Sequence, residues 1–292
     1  MDEFIESRIR KPLNLFEMTN TEAVELFKQT DIAIISVGST EQHGRCLPMG
    51  TDTLEANDYA KRAAAIVEKE GIKVIITTPI PFGVSGHHMF WPGTLSLQPE
   101  TLTQIVLDIS ECIIAHGVRK IILNVGHTGP PQESAMWNAA YHLQKDYGVL
   151  VSIFNRSRLY SIIKPKFLKA EKPFLEGHAG AHEASMDLAI CPELVHMEWA
   201  TKSVFPRELR GGMESSQPIV TSWAYKEPFK SGVRAHAVMM DGLREAYYAG
   251  TGAQGDVTTA TKEQGENFLK YIAQELAKLI KVINEMDPID KP

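Results

Sequence analysis

The chain has 292 residues, 43% of them hydrophobic and 23% charged, with a formal net charge of -6 at pH 7. These are the values of an ordinary globular protein. An acidic balance with no basic run of five excludes a nucleic-acid footprint, and no apolar stretch nears the roughly 18 residues of a membrane span. The first residues, MDEFIESRIRK, lack the apolar segment of a signal peptide. Cys46, Cys112 and Cys191 are odd in number and widely spaced, so they read as reduced thiols in a cytoplasmic protein.

In chain order, Thr19 and Glu22 form a capping-box pattern that opens a helix to about Gln29. A strand follows at Ile32 to Val37, then a polar loop, then a helix from about Thr53 to Lys69 that Gly71 stops. Lys73 to Thr78 reads as a second strand, followed by the long loop PIPFGVSGHHMFWPGTLSLQ. Pro99 and Glu100 start a helix to His116, ended by Gly117. Lys120 to Val125 is a third strand, GHTGPPQE leads into a helix to about Tyr147, and Val149 to Phe154 is a fourth strand. These strands are short continuous apolar runs alternating with helices, the pattern of a parallel sheet covered on both faces. From Arg156 to Gly250 the pattern is irregular. A last helix, from about Thr261 to Met286, puts Phe268, Ile272, Leu276, Leu279, Ile280 and Ile283 on one face. With no linker visible, the whole chain, 1–292, reads as one α/β domain.

The chemistry concentrates in the loops that follow the strands. STEQHGRCLPMGTD carries Glu41, His43 and Asp52. Glu41 and His43 are two apart, so in extended chain they point the same way, and Asp52 returns after a turn at Pro48 and Gly50. Two carboxylates and an imidazole are ligands for divalent cations, although ordinary solvated acids give the same string. Further loops carry His87, His88 and Trp91, then His127 between glycines, then His178, His182 and Glu183 in GHAGAHEAS. In a parallel sheet such loops meet along the carboxyl edge of the strands, where ligands bind.

STEQHG with the following GTD, HMFWPGT, NVGHTG, HAGAHEAS and GAQGDVTTATKEQG together resemble the creatininase (creatinine amidohydrolase) family, in order from about Ile32 to Gly265. The resemblance implies a three-layer α/β/α sandwich with a mainly parallel sheet, two divalent metal ions per chain (zinc or manganese), and a homo-oligomer, often a hexamer. It implies Glu41, Asp52 and His127 as ligands of one metal, and His43 and Asp52 as ligands of the second, with Asp52 bridging. His178 corresponds to a proton-shuttling histidine and Glu183 to an acidic site residue. Some members carry an acidic ligand two residues after the motif histidine, where this chain has Gly129. Glu183 is then the best candidate for the missing ligand of the second metal.

The implied reaction is the opening of a small polar cyclic substrate by metal-bound hydroxide attacking a carbonyl, with His178 supplying a proton to the leaving group. A cyclic amide or formamide is the first substrate class. A cyclic polyol ketone of the inosose type, opened at a C–C bond, is the alternative. A metal-binding protein without catalysis is a further one, against which stands the chemical competence of every ligand position. Cys46 as a thiol nucleophile beside His43 is disfavoured, since metal ligation would leave His43 no base. Ser39 lacks the GxSxG setting, and no GxGxxG or P-loop occurs. Trp91, Trp223, Phe229 and Met240 suit either a pocket wall or packing, and Arg207, Arg210 and Arg234 a solvated or subunit-facing surface.

Overall fold

Four parallel strands lie side by side in the order β2-β1-β3-β4. They are β1 (Ile32–Val37), β2 (Ile75–Ile76), β3 (Lys120–Val125) and β4 (Leu150–Asn155). Ile32 is opposite Lys120 and Val37 opposite Val125, so β1 and β3 end level at their carboxyl edge. The computed structural model describes residues 14–89, 91–171, 173, 176–203 and 250–287. Arg207, Arg210, Trp223, Phe229, Arg234 and Met240 lie outside the described residues.

The helices are α1 (Asn20–Phe27), α2 (Thr51–Glu68), α3 (Pro99–Ala115), α4 (Pro130–Tyr147), α5 (Tyr160–Phe167), α6 (Ala181–Ile190) and α7 (Lys262–Glu285). The Thr19–Glu22 capping box starts α1 with both reciprocal bonds in place. A two-residue antiparallel pair, β5 (Lys202–Ser203) with β6 (Gly255–Asp256), stands apart from the main sheet.

Alternation along the strands divides the core in two. Ile32, Ile34, Ile122 and Phe154 face one way, onto α2, α5, α6 and α7. Ala33, Ile35, Val37, Ile121, Leu123 and Val125 face the other way, onto α3 and α4. This is the expected three-layer α/β/α sandwich. On α7, Phe268, Ile272, Leu276 and Ile280 are fully buried; each contributes about 1.5–3 kcal/mol by leaving water.

Two elements differ from the sequence reading. The second strand shrinks to Ile75–Ile76, because the chain beyond it makes only single bridges, such as Ile80 with Val37. The stretch after Arg156, read as irregular, holds α5 and α6. Pro165 lies inside α5, and α6 carries polar His182, Glu183, Ser185 and Asp187 among its buried residues, so neither shows a clean apolar stripe.

At the carboxyl edge Gln132 ties three segments together. Its side chain accepts from the Val84 amide (3.0 Å) and donates to the carbonyls of Val37 and Gly38 (both 3.2 Å). Behind it, Asn124 on β3 donates to Ser36 on β1 (2.9 Å) and to the Ala56 carbonyl on α2 (3.0 Å). These bonds satisfy polar groups in a dry interior and fix α2 against the sheet.

Candidate metal centre

The loop after β1 delivers Glu41 and His43, and the first turn of α2 delivers Asp52. The segment after β3 delivers His127, and the turn before α6 delivers His178, with Glu183 in the helix's first turn. All of these predicted residues converge. His127 Nδ1 is 3.1 Å from Glu41 Oε1 and 3.2 Å from Asp52 Oδ2. His43 Nε2 is 3.7 Å from Asp52 Oδ1 and 3.9 Å from Glu183 Oε2. Asp52 therefore turns one oxygen toward each imidazole. Glu41, His43, Asp52, His127 and Glu183 are all buried.

The tautomers follow from the neighbours. His43 Nδ1 lies 3.2 Å from the carbonyl of Glu41 and donates to it, which leaves the Nε2 lone pair facing the carboxylates. His178 Nε2 is 2.6 Å from the Gln42 carbonyl and 3.0 Å from the Gln42 amide nitrogen. The shorter contact assigns the proton to Nε2, so Nδ1, 3.7 Å from Glu41 Oε1, faces the carboxylates. His88 stacks on His178 at 4.1 Å and receives a bond from Gln42 Nε2 at its Nδ1 (3.0 Å).

Several of these atoms find no hydrogen-bond partner although sealed from water: both Glu41 carboxylate oxygens, His43 Nε2, Asp52 Oδ2 and His127 Nε2. Stranded polar atoms of this kind are costly unless a ligand satisfies them. Among the described residues, three sets of ligand atoms each fall within 4.8 Å of one another: His43–Asp52–Glu183, Glu41–His87–His127 and Glu41–His43–His178. His87 enters such a set although the sequence reading kept it out of the ligands. The donor chemistry, mixed carboxylate and imidazole, fits divalent zinc or manganese.

With the residues alone, protons take the place of cations. Burial pushes His43 down, but Asp52, Glu183 and Glu41 together lift it to about 10. His127 is likewise carried well above the usual imidazole range, against burial, by Glu41 and Asp52. Burial lowers His178, with His43 adding to the effect. Burial lowers His87 to about 3. The Cys46 thiol is pushed up to about 11 by burial, which removes it as a nucleophile.

The sequence reading missed Arg156, the residue that follows the last position of β4. Its guanidinium is buried, 3.4 Å from Asp52 Oδ1 and 3.5 Å from Glu183 Oε1, and it also pairs with Glu55, one turn beyond Asp52 on α2. Its place at the carboxyl end of a parallel strand was the signal available. Glu183 Oε2 accepts the Ala179 amide (2.6 Å), holding a turn in which Ala179 takes a φ of +50°.

A cavity of about 210 Å³ opens on this cluster. Tyr160, Lys164 and His182 also line it, as do Ser157, Thr128 and Gln254, while Trp91 does not. Gly129 leaves the room: a Cβ there would stand 2.7 Å from His127 Nε2.

The family model described as creatinine amidohydrolase matches residues 16–280. The chain belongs to the creatininase family. It is accordingly a hydrolase. A 3-dehydro-scyllo-inosose hydrolase from Thermotoga maritima is 30% identical over 281 residues, covering 94% of this chain and 84% of the relative. A mycofactocin precursor peptide peptidase from Mycolicibacterium smegmatis is 26% identical over 265 residues, covering 88% of this chain and 87% of that one. Among solved members of the creatininase family, a manganese creatininase superposes with a TM-score of 0.69 at 23% identity, covering 93% of this chain and 98% of its own. A Zn–Zn mutant creatininase gives 0.68 at 22%, with the same coverage. These last two share the fold.

Proposed function

We propose that this protein is a binuclear metal-dependent hydrolase that opens a small, oxygen-rich cyclic carbonyl compound. Glu41, His127 and Asp52 would hold one divalent ion, and His43, Asp52 and Glu183 the other, with zinc and manganese the fitting metals. The observation that carries this reading is Asp52, whose two oxygens face two different imidazoles inside a group of buried, unpartnered donor atoms. When bound, the ions supply an acidified water and a Lewis acid for the substrate carbonyl.

The chain's own residues supply the rest. Gln42 fixes the His178 ring through Nε2, leaving Nδ1 to carry a proton to or from the reacting group. Arg156 pairs with Asp52 and Glu183 and holds both carboxylates in place within the buried cluster.

Of the two substrate classes, ring opening of a hydroxylated cyclic ketone is the reading we adopt. Hydrogen-bonding groups surround the cavity, and Tyr160 is its only ring among the described residues apart from the imidazoles. The relative matched over 94% of this chain is named for such a substrate. Opening of a cyclic amide stays as the second reading, supported by the description of the matching family model. A ring-opening assay on a cyclic polyol ketone beside a cyclic amide, with zinc- and manganese-loaded protein, tests this: turnover of the ketone is expected. Turnover of the amide alone would reverse the order, and turnover of neither by loaded protein would end the ring-opening reading.

The reading includes a homo-oligomer, a hexamer by the family resemblance, in the cytoplasm. Trp137 and Tyr141, one turn apart on α4 and 66% and 58% exposed, are aromatic side chains suited to a subunit interface. Light scattering showing only a 32.5 kDa species would refute the assembly.

A further inference from the structure

Lys164 is a buried cation on the cavity wall that makes no direct ion pair with a described carboxylate. Its ammonium donates to the backbone carbonyl of Glu176 (2.6 Å) and lies 4.4 Å over the Tyr160 ring. The Glu176 carboxylate is committed elsewhere, accepting the amides of Ala181 (2.7 Å) and Asp256 (2.9 Å). No carboxylate of a described residue comes within ion-pair distance of Lys164: Glu183 and Glu176 pull on it from farther off, and its direct contacts are a backbone carbonyl and an aromatic face. Burying an ammonium this way is unfavourable unless a further acceptor arrives. Beside it, the Tyr160 hydroxyl and His182 Nδ1 are also sealed and unpartnered, and His182 is only 1% exposed. Tyr160 contacts both groups, packing edge-on against His182 at 4.7 Å. Three polar groups without sufficient protein partners thus line the same cavity as the metal-ligand candidates.

We infer that Lys164, flanked by Tyr160 and His182, is the recognition site for a second oxygen of the substrate, the one that gains negative charge as the ring opens. This rests on the ketone-opening reading above. Hydrolysis of a C–C bond needs an electron sink. Water oxygen bonds to the first carbonyl carbon and the ring C–C bond breaks. Its electron pair moves onto the released carbon and, if a second carbonyl adjoins that carbon, into an enolate oxygen. One proton then goes to that carbon, the other is released, and the first carbonyl carbon becomes a carboxylate at the other end of the opened chain. The substrate class is therefore a cyclic 1,3-dicarbonyl, with the second carbonyl oxygen on the Lys164 ammonium. A charge-assisted bond that strengthens as the enolate forms lowers the barrier more than it tightens ground-state binding.

The probe is cyclohexane-1,3-dione, a cyclic enolate anion at neutral pH, titrated calorimetrically into zinc-loaded full-length protein, with neutral cyclohexanone as control. Lys164→Met should weaken dione binding about 10- to 100-fold, leave cyclohexanone binding unchanged, and leave zinc content equal to wild type. Lys164→Arg, which keeps the charge, should retain most of the dione affinity and guards against a Met variant that misfolds. Zinc-loaded wild type that fails to bind the dione, or binds it equally after Lys164→Met, overturns this proposal alone. Wild type that takes up no metal overturns the binuclear reading and this proposal with it.

Discussion

The Arg156 guanidinium faces the Asp52 carboxylate at 3.4 Å, Nη2 to Oδ1, with both side chains closed off from solvent. The same guanidinium serves Glu55 and Glu183, so one cation offsets three buried carboxylates from two helices on one face of the sheet. Arg156→Met leaves Glu55 without its ion pair and Asp52 and Glu183 with imidazoles alone, and should cost about 3–5 kcal/mol. Urea unfolding of metal-stripped protein measures it. A loss below about 1 kcal/mol would show that the guanidinium is dispensable. Arg156→Lys should recover only part, since a point charge cannot span three carboxylates.

Gly129→Ala places a methyl 2.7 Å from His127 Nε2 and 3.2 Å from His87 Cε1. The imidazole must shift off its position toward Glu41 and Asp52. Metal affinity should fall about 10- to 100-fold, the scale seen when ligand orientation is disturbed, while the melting temperature changes little. Equilibrium dialysis against zinc checks this.

Much of the site was legible because its residues follow strand ends. Glu41, His43 and His127 each come shortly after an apolar run, and the parallel-sheet rule alone brings them to one edge. Glu183 and Arg156 were harder. Glu183 enters from α6, whose buried polar residues Ser185 and Asp187 erase the apolar stripe that marks a helix. Arg156 was passed over because an arginine reads as surface until its partners, 104 and 27 positions away at Asp52 and Glu183, are seen in space. Lys164 was hidden for the same reason: nothing local in SIIKPKF says that one lysine is buried and another exposed.

His178 separates proton transfer from metal binding. With Nε2 engaged by Gln42, removal of the ring should lower kcat by about 10²- to 10⁴-fold with KM and metal content nearly unchanged. His178→Gln is the variant to measure. Loss of one ion instead would make His178 a ligand, in line with its place in the Glu41–His43–His178 set, and would move the proton role to another group.

Lys164 also gives stability a pH signature. Burial depresses its value from 10.5 to about 8, against the pull of Glu183 and Glu176. Between about pH 8 and 10.5 the unfolded chain holds this proton more readily than the folded one, so the Lys164 contribution to stability rises with pH across that window. Below pH 8 the contribution is constant. The difference in urea midpoint between wild type and Lys164→Met should therefore shift in favour of wild type from pH 8 to pH 10. An unchanging difference would contradict a buried ammonium.

If Asp52 joins two metal sites, the metal content of matched variants shows it most directly. Protein purified without chelator should carry about two divalent ions per chain by elemental analysis. Asp52→Ala should lose both, whereas Glu41→Ala and His43→Ala should each weaken mainly one. Normal occupancy in Asp52→Ala, or wild type with fewer than one ion per chain and full activity in chelator, would contradict a bridging Asp52 between two ions.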